Sequence, residues 1–278
     1  MQPISLNTQN ATINNSEKVL NQNLRMDFSK DFYVIAHRGA SAYYPENTII
    51  AFKAAVGMQA DMIELDVQLS KDKVPIVFHD ERLEDKSDGK GLVSDFTLSE
   101  LKMLDAGSWF NSKFKGEKIP TLKEVLEYTR DKILVNIEIK TEAVTDVEKD
   151  GVVDLVVQLI DELKISDQVL ISSFDYRVFE RVHNEGKIIK TALLYEIDQS
   201  EKKTPLQLVE GYKVDAFNCS KNQLSEEWSN ELDKAKVPYF VYTVNAKVEM
   251  TSIIKDGAKG IFSDKPDLLK EVANQIFR

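Results

Sequence analysis

Strand-like and helix-like segments alternate along nearly the whole chain. Short apolar runs of the strand type recur nine times between residues 32 and 262, and a capped or amphipathic stretch separates most of them. The runs 61–70 and 74–79 are joined by so few residues that only a hairpin can connect them. This order predicts an α/β fold, a (β/α)8 TIM barrel in which one unit lacks its helix. An open doubly wound sheet is the alternative, although no glycine-rich phosphate loop follows any strand.

Two segments depart from this alternation. Residues 1–30 are rich in Asn, Gln and Ser, which predicts a disordered or loosely docked N-terminal arm. Residues 31–278 are then one TIM-barrel domain. Within this domain, the segment 81–118 is rich in charged residues and contains glycines. Its one helix-like stretch is short, at 98–104. We interpret residues 81–118 as a small inserted subdomain that follows the second and third strands on the top face of the barrel.

The composition restricts the classes of partner. The chain has 46 acidic and 36 basic side chains and a formal net charge of −10, which argues against nucleic-acid binding. An anionic ligand would therefore need a local cluster of cations or a metal ion. The single cysteine, Cys219, excludes an internal disulfide and a thiolate metal site. No transmembrane segment is predicted, because no run approaches the roughly 18 apolar residues of a spanning helix.

The N-terminal residues also bear on the compartment. They lack the apolar core of a signal peptide, so the chain as given predicts a cytoplasmic protein. A polar arm of this kind also follows a trimmed signal peptide or a lipid anchor, so an extracellular or cell-surface location is the alternative. The sequence makes no prediction of oligomeric state.

The hairpin brings a histidine toward two carboxylates. The run 61–70 alternates strictly, so that Glu64 and Asp66 share one face of the strand. If the turn centres on residues 71 and 72, Val77 lies opposite Asp66 and His79 lies opposite Glu64. Because side chains alternate with a period of two, a slip of one residue would remove this pairing.

Chemically active residues also end two other strands. The first strand, 32–36, stops at His37 and Arg38, and the strand 133–140 carries Glu138 and Lys140 on one face. Active sites of TIM barrels are built at the C-terminal ends of the strands. We therefore expect these side chains to converge with those of the hairpin.

The carboxylates of this set predict a divalent metal ion. Glu64, Asp66 and Glu138 come from two separate strands, and buried carboxylates are normally paired or bound to metal. An all-oxygen donor set suits a hard cation, Ca²⁺ or Mg²⁺, whereas zinc prefers nitrogen or sulfur.

The remaining side chains predict the type of reaction. His37 and His79 can divide the acid and base roles near neutral pH. The donors of Arg38 and Lys140 match phosphate oxygens, so the site favours phosphoryl transfer at a metal. The third histidine, His183, lies in a polar helix and is expected to be exposed.

Other residues near the strand ends are candidates for the pocket. Glu46 either leads into a helix cap or orients Arg38 or a substrate hydroxyl. Phe174 and Tyr242 are equally compatible with the core and with a pocket wall. Asp80 and Asp264 are expected to brace loops.

The order of these pieces resembles a known enzyme family. The segments HRGASAYYPENT, IELDVQLSKD, VFHD, LDAGSWF, IPTLKEVL, NIEIK, SSF, YTVN and GIFSDKPD stand in the order found in the glycerophosphodiester phosphodiesterases. The resemblance covers about residues 32–277. One departure is that the family usually has tryptophan where Tyr242 begins YTVN, which affects the packing around the glycerol or the alcohol.

The resemblance implies a barrel with a small inserted subdomain and a divalent metal held by Glu64, Asp66 and Glu138. It implies His37 and His79 as the acid/base pair, with Arg38 and Lys140 on the phosphate. The implied reaction is hydrolysis of a small-molecule glycerophosphodiester, such as glycerophosphocholine or glycerophosphoethanolamine, to glycerol 3-phosphate and an alcohol. Water and the neighbouring glycerol hydroxyl both remain open as the first nucleophile.

Three other functions compete with this one. A lipid substrate, as in the lysophospholipase D and sphingomyelinase D relatives, would need a hydrophobic rim, for which Trp109 and Phe110 are the candidates. A non-catalytic phosphodiester-binding barrel would have no chemical need for the full set of histidines, carboxylates and cations. An amidohydrolase barrel would want His-x-His on its first strand, which here offers only His37.

Overall fold

Eight parallel strands close into a barrel in the computed structural model, which describes residues 24–146 and 149–277. Neighbouring strands pair around the barrel, and the first pairs with the second to close it. The third strand lies outside the barrel, antiparallel to the second. This arrangement confirms the predicted TIM barrel. The strands are β1 (Tyr33–Ala36), β2 (Met62–Leu69), β3 (Pro75–Val77), β4 (Leu134–Ile139), β5 (Val169–Ser173), β6 (Lys190–Leu194), β7 (Ala216–Ser220), β8 (Tyr239–Tyr242) and β9 (Gly260–Ser263).

Helices connect the barrel strands and cover the outside of the barrel. Their first turns are capped as the sequence suggests: Thr48 caps the first helix and Thr121 forms a capping box with Glu124. The helices of the described residues are α1 (Ile49–Gly57), α2 (Leu98–Leu101), α3 (Leu122–Thr129), α4 (Val152–Leu163), α5 (Arg177–Asn184), α6 (Pro205–Tyr212), α7 (Glu226–Ala235), α8 (Lys247–Lys255) and α9 (Pro266–Ile276).

Every barrel strand is followed by a helix, which corrects one prediction. The β2 unit reaches its helix α3 only after β3 and the segment between β3 and α3, so no unit lacks a helix. The prediction was wrong because β3 is an antiparallel arm on β2 and not a unit of the barrel. None of the helices in the described ranges is long and apolar enough to span a membrane.

Both faces of β2 are buried, although one of them is polar. Ile63, Leu65 and Val67 face the hydrophobic core between the barrel and its helices. Glu64 and Asp66 have exposed fractions of only 2% and 1%. In an open sheet this alternation would put the polar face in water, but closure of the barrel places it in the interior.

The register of the hairpin differs from the predicted one by one residue. Val77 pairs with Val67, and not with Asp66 as predicted. The reason is a three-residue loop closed by the Ser70 N–H donating to the Val74 carbonyl at 3.0 Å, with Lys73 in the left-handed conformation at φ 60°. The predicted pairing of His79 with Glu64 is therefore wrong, and His79 lies beyond the end of β3.

The N-terminal end of the barrel is covered by the chain that precedes β1. Met26 is 3% exposed and its N–H donates to the carbonyl of Asp167 at 2.7 Å, and the ring of Phe28 contacts that of Phe240. Residues 24–30 of the predicted arm are thus docked on the barrel. Residues 1–23 of that arm lie outside the described residues.

The segment between β3 and α3 has a small hydrophobic cluster of its own. It contains α2 and the 3-10 helices Val93–Asp95 and Ser112–Phe114. Its interpretation as an inserted subdomain at 81–118 stays a prediction. The buried members of the cluster are Ile76, Phe78, Leu83, Val93, Leu101, Ala106 and Ile119.

Candidate active site

Three carboxylates meet at the C-terminal ends of β2 and β4. Asp66 pairs in register with Glu138, and Glu64 lies two residues earlier on β2. One carboxylate oxygen from each residue lies within 4.8 Å of those of the other two. Among the described residues, these three are the acidic, histidine or cysteine side chains that lie close enough together to hold a metal ion.

Burial and mutual repulsion change the acidity of the three carboxylates. Burial, followed by the charges of Asp66 and Glu138, raises the pKa of Glu64 well above its ordinary value. Burial and then Asp66 raise the pKa of Glu138 to about 7. Burial acts on Asp66 in the same direction, but the nearby cations outweigh it and lower the pKa of Asp66. The three carboxylates therefore repel one another, and the protonated form is favoured at Glu64 and Glu138.

Two cations border the cluster. Nζ of Lys140 donates to Oε1 of Glu138 at 3.2 Å and lies 3.8 Å from Asp66. Nε of Arg38 lies 3.3 Å from Oδ2 of Asp66. The backbone N–H of Arg38 donates to Oε2 of Glu64 at 2.7 Å, which places the β1–α1 loop against the carboxylates. Both cations thus lie within reach of an anion bound beside the cluster.

The backbone conformation of two residues and a hydrogen bond from Asn47 hold the loop that carries Arg38 in place. Arg38 itself is left-handed at φ 54°, and Gly39 follows at φ 82° with no room for a Cβ against the backbone of Ala51. Asn47 donates through Nδ2 to Oδ2 of Asp66 at 2.8 Å. No local pattern in the sequence indicates this contact between Asn47 and Asp66.

His79 reaches the site through a short turn that follows β3. The side-chain amide of Gln68 donates to the carbonyls of Phe78, His79 and Asp80 at 3.0, 3.2 and 2.7 Å. Nδ1 of His79 lies 2.8 Å from Oδ1 of Asp80. Burial, with the charges of Arg38 and Lys140, lowers the pKa of His79. Gln68 was not predicted as functional. It shares a strand face with Glu64 and Asp66, and this position could have indicated its role.

His37 is held by a carboxylate from the end of β9. Nδ1 of His37 lies 2.7 Å from Oδ1 of Asp264, and Nδ2 of Asn245 donates to Oδ2 of Asp264 at 2.6 Å. Ser41 donates to Oδ1 at 3.0 Å. Burial alone would raise the pKa of Asp264, but the hydrogen bonds from His37 and its other partners lower it to about 2. Asp264, which was expected to brace a loop, braces a histidine.

These groups face one cavity of about 240 Å³. Most predicted site residues line it: His37, Arg38, Glu64, His79, Glu138, Lys140, Phe174 and Tyr242. Asp66 lies behind the lining beside Glu138, and Glu46 lies behind Arg38. The lining also includes residues that the sequence analysis missed: Asn136, Ser172, Leu194, Thr243 and Phe262. Asn136 and Ser172 could have been found, since each lies two residues before a candidate residue: Glu138 on β4 and Phe174 just after β5.

Comparison with known proteins agrees with this geometry. Residues 37–268 match the Glycerophosphoryl diester phosphodiesterase family. The chain is 42% identical over 237 residues to a glycerophosphodiester phosphodiesterase of Caldanaerobacter subterraneus subsp. tengcongensis, an alignment that covers 85% of this chain and 95% of that protein.

Solved structures share the overall fold. The glycerophosphodiester phosphodiesterase of Agrobacterium tumefaciens aligns with a TM-score of 0.75 and 28% identity, over 86% of this chain and 99% of that chain. A phosphodiesterase of Oleispira antarctica, solved in complex with the product sn-glycerol-3-phosphate, aligns with a TM-score of 0.79 and 27% identity, over 86% of this chain and 96% of that chain.

Proposed function

The chain belongs to the Glycerophosphoryl diester phosphodiesterase family, and on this premise we propose that it hydrolyses glycerophosphodiesters to glycerol 3-phosphate and an alcohol. The observation that carries the proposal is the single cavity onto which two histidines, two cations and a carboxylate cluster converge. The product bound by the Oleispira antarctica relative supports glycerol 3-phosphate as the product here. Glycerophosphocholine and glycerophosphoethanolamine are the substrates that we propose first.

The carboxylate cluster fits a hard divalent cation. Glu64, Asp66 and Glu138 supply only oxygen donors, and the raised pKa of Glu138 and Glu64 is consistent with a cluster of like charges that a bound cation would stabilise. We therefore propose that these three residues hold Ca²⁺ or Mg²⁺. Such an ion, when bound, neutralises phosphate charge and polarises phosphorus–oxygen bonds.

The two histidines supply proton transfer at defined atoms. Because the pKa of Asp264 is lowered to about 2, its carboxylate is ionised and accepts the Nδ1 proton of His37. Nε2 of His37 is then the atom left for the substrate. Asp80 contacts Nδ1 of His79 through Oδ1 and so orients that ring. One histidine takes the proton of the nucleophile as its oxygen bonds to phosphorus, and the other protonates the alcohol oxygen as its bond to phosphorus breaks.

Arg38 and Lys140 bind the phosphate in this proposal. Both line the cavity. Burial acts to lower the pKa of Lys140 and Arg38, but the neighbouring carboxylates raise the pKa of each and keep both side chains charged. Their donors match the two non-bridging oxygens of a phosphodiester. They therefore position the substrate and stabilise charge that develops on those oxygens.

The lipid-substrate alternative finds no support in the inserted segment. Trp109 is half-buried, and Nζ of Lys86 lies 4.1 Å from the centroid of its ring. The ring of Phe110 packs against Phe114 at 5.8 Å. These two aromatic residues therefore do not form the free hydrophobic rim that a lipid substrate would need.

Release of glycerol 3-phosphate tests the proposal directly. A panel of glycerophosphodiesters and lysophospholipids is incubated with the enzyme in Ca²⁺, Mg²⁺ or chelator. We expect release from glycerophosphodiesters that depends on the metal, and little from lysophospholipids. Absence of release with every substrate and either metal would refute the proposed function.

A further inference from the structure

A series of side-chain contacts links the inserted segment to the edge of the cavity. Nη1 of Arg38 donates to Oε1 of Glu46 at 2.9 Å, and Oε2 of Glu46 forms an ion pair with Nζ of Lys86 at 3.4 Å. The same Nζ lies 4.1 Å from the centroid of the Trp109 ring. Arg38 is a cavity-lining residue, whereas Glu46, Lys86 and Trp109 stand behind it.

These contacts are partly withdrawn from water. The side chains of Arg38, Glu46 and Lys86 have exposed fractions of 18%, 13% and 27%. Salt screens ion pairs with this burial less than it screens surface pairs. The face of a tryptophan ring also attracts an ammonium group. Lys86 is therefore held from two sides, and it can restrain Glu46 in turn.

Arg38 has a second carboxylate neighbour, Asp66. Its Nε is buried and lies 3.3 Å from Oδ2 of Asp66, yet it has no hydrogen-bond partner in the part of the chain that the structure describes. A buried donor without a partner is costly, so a guanidinium released by Glu46 would turn toward Asp66. It would then occupy a proposed metal ligand and leave the position from which it reaches a phosphate.

We infer that Lys86 is a positioning residue for substrate binding, which acts by holding Glu46 so that Glu46 keeps the guanidinium of Arg38 at the cavity edge. The inference rests on the proposed function, since it assumes that Arg38 binds the phosphate of a phosphodiester. It gives the inserted segment a role in phosphate binding that its distance from the reacting atoms would not suggest.

The variant Lys86→Met tests this inference. We expect it to raise KM for glycerophosphocholine about five-fold while kcat changes less than about two-fold, because a ground-state contact with the phosphate is weakened. Lys86→Arg should restore most of the affinity, since its guanidinium can pair with Glu46 and stack on Trp109.

A double variant tests whether Lys86 acts on KM through Glu46 or independently of it. Glu46→Gln should raise KM at least as much as Lys86→Met, and the two together should cost no more than Glu46→Gln alone. Additive effects, or an unchanged KM in Lys86→Met, would overturn the inference.

The control is Lys113→Met. Lys113 belongs to the same segment and lies over an aromatic ring, that of Phe114 at 4.7 Å, but it has no ion-pair partner among the described residues. It should leave KM unchanged. An equal rise in KM for Lys113→Met would show a general effect of the segment and would also overturn the inference.

Phosphate binding keeps this test independent of turnover. The affinity of the Mg²⁺-loaded chain for inorganic phosphate, measured by calorimetry, should fall about five-fold in Lys86→Met and stay unchanged in Lys113→Met. If the wild-type chain releases no glycerol 3-phosphate, the proposed function fails. The phosphate affinity of the variants then tests by itself whether Lys86 positions Arg38. An equal affinity in the wild type and Lys86→Met would contradict the inference.

Discussion

The Nδ1 atom of His37 lies 2.7 Å from Oδ1 of Asp264, although 227 residues separate them in the chain. Asn245 contacts Asp264 twice, through Nδ2 on the carboxylate and through Oδ1, which accepts the backbone N–H at 2.9 Å. The last barrel strand thus orients the histidine that ends the first. Closure of the barrel is what brings the two strand ends together.

Replacement of the Asp264 carboxylate should impair catalysis more than it lowers the stability of the fold. We expect Asp264→Asn to lower kcat about 100-fold, because an amide can hold the imidazole in the wrong tautomer and cannot stabilise its protonated form. Steady-state kinetics measure the loss, and a thermal melt checks that the fold is kept. A kcat within about three-fold of the wild type would show that Asp264 does not orient a reacting histidine.

Replacement of His37 or His79 should lower turnover, whereas replacement of His183 should not. His37→Ala and His79→Ala are each expected to lower turnover by about 10²- to 10⁴-fold while metal affinity, measured by calorimetry, is retained. His183→Ala is the matched control, because His183 is exposed on α5 and should not affect turnover. Near wild-type activity of either cavity variant would refute its assigned role.

The metal-free protein should lose stability as the pH rises. The pKa of Glu138 is raised from 4.5 to about 7 by burial and then by Asp66. Between these values the native state keeps a proton that the unfolded chain has released, so the free energy of unfolding falls with increasing pH. Urea unfolding in chelator across this range measures the slope, which Glu138→Gln should reduce. His79, whose pKa is lowered, acts in the opposite direction, so the difference between the two proteins is the test: an equal slope in the wild type and Glu138→Gln would contradict the raised pKa.

Addition of a divalent cation should reverse this loss. An ion that binds the native carboxylate cluster and not the unfolded chain raises the free energy of unfolding. We expect Ca²⁺ or Mg²⁺ at pH 7 to raise the melting temperature of the wild type, and Glu64→Gln to weaken the metal affinity by about 10-fold or more. No change in melting temperature with either ion would count against the metal site.

The hydroxyl of Tyr242 should contribute to substrate binding. Its ring lies between those of Phe174 and Phe262, with centroids at 6.1 and 6.3 Å, and the hydroxyl has no hydrogen-bond partner within the described ranges. Burial raises the pKa of Tyr242, which keeps the hydroxyl protonated as a donor. Tyr242→Phe is expected to raise KM about three-fold with little change in kcat, and Tyr242→Trp to remain active. An unchanged KM in the phenylalanine variant would show that the hydroxyl makes no contact with substrate.

Local patterns predicted the elements well. The strands predicted at 32–36 and 133–140 are the observed β1 and β4, and Thr48 and Thr121 cap the helices that follow them. Such features depend on residues within about one turn of each other, so the sequence carries them directly. The candidate residues lie together because the C-terminal ends of the barrel strands share one face.

The hairpin shows where local reasoning fails. A three-residue loop with Lys73 in the left-handed conformation changed the register by one residue, and period-two alternation alone does not reveal such a loop. His79 reaches the cavity all the same, because Gln68 holds the turn that carries it. The predicted neighbourhood was therefore correct, but the predicted pairing was wrong.

The sequence by itself determined the order of strands and helices, the barrel and the residue types of the site, because periodicity and caps are short-range properties. Only the tertiary structure decided the partners: Asp264 for His37, and Glu46 between Arg38 and Lys86. These contacts join loops that are far apart in the chain, and no local pattern encodes which loops meet. Closure of the barrel and packing of the segment between β3 and α3 bring them into contact.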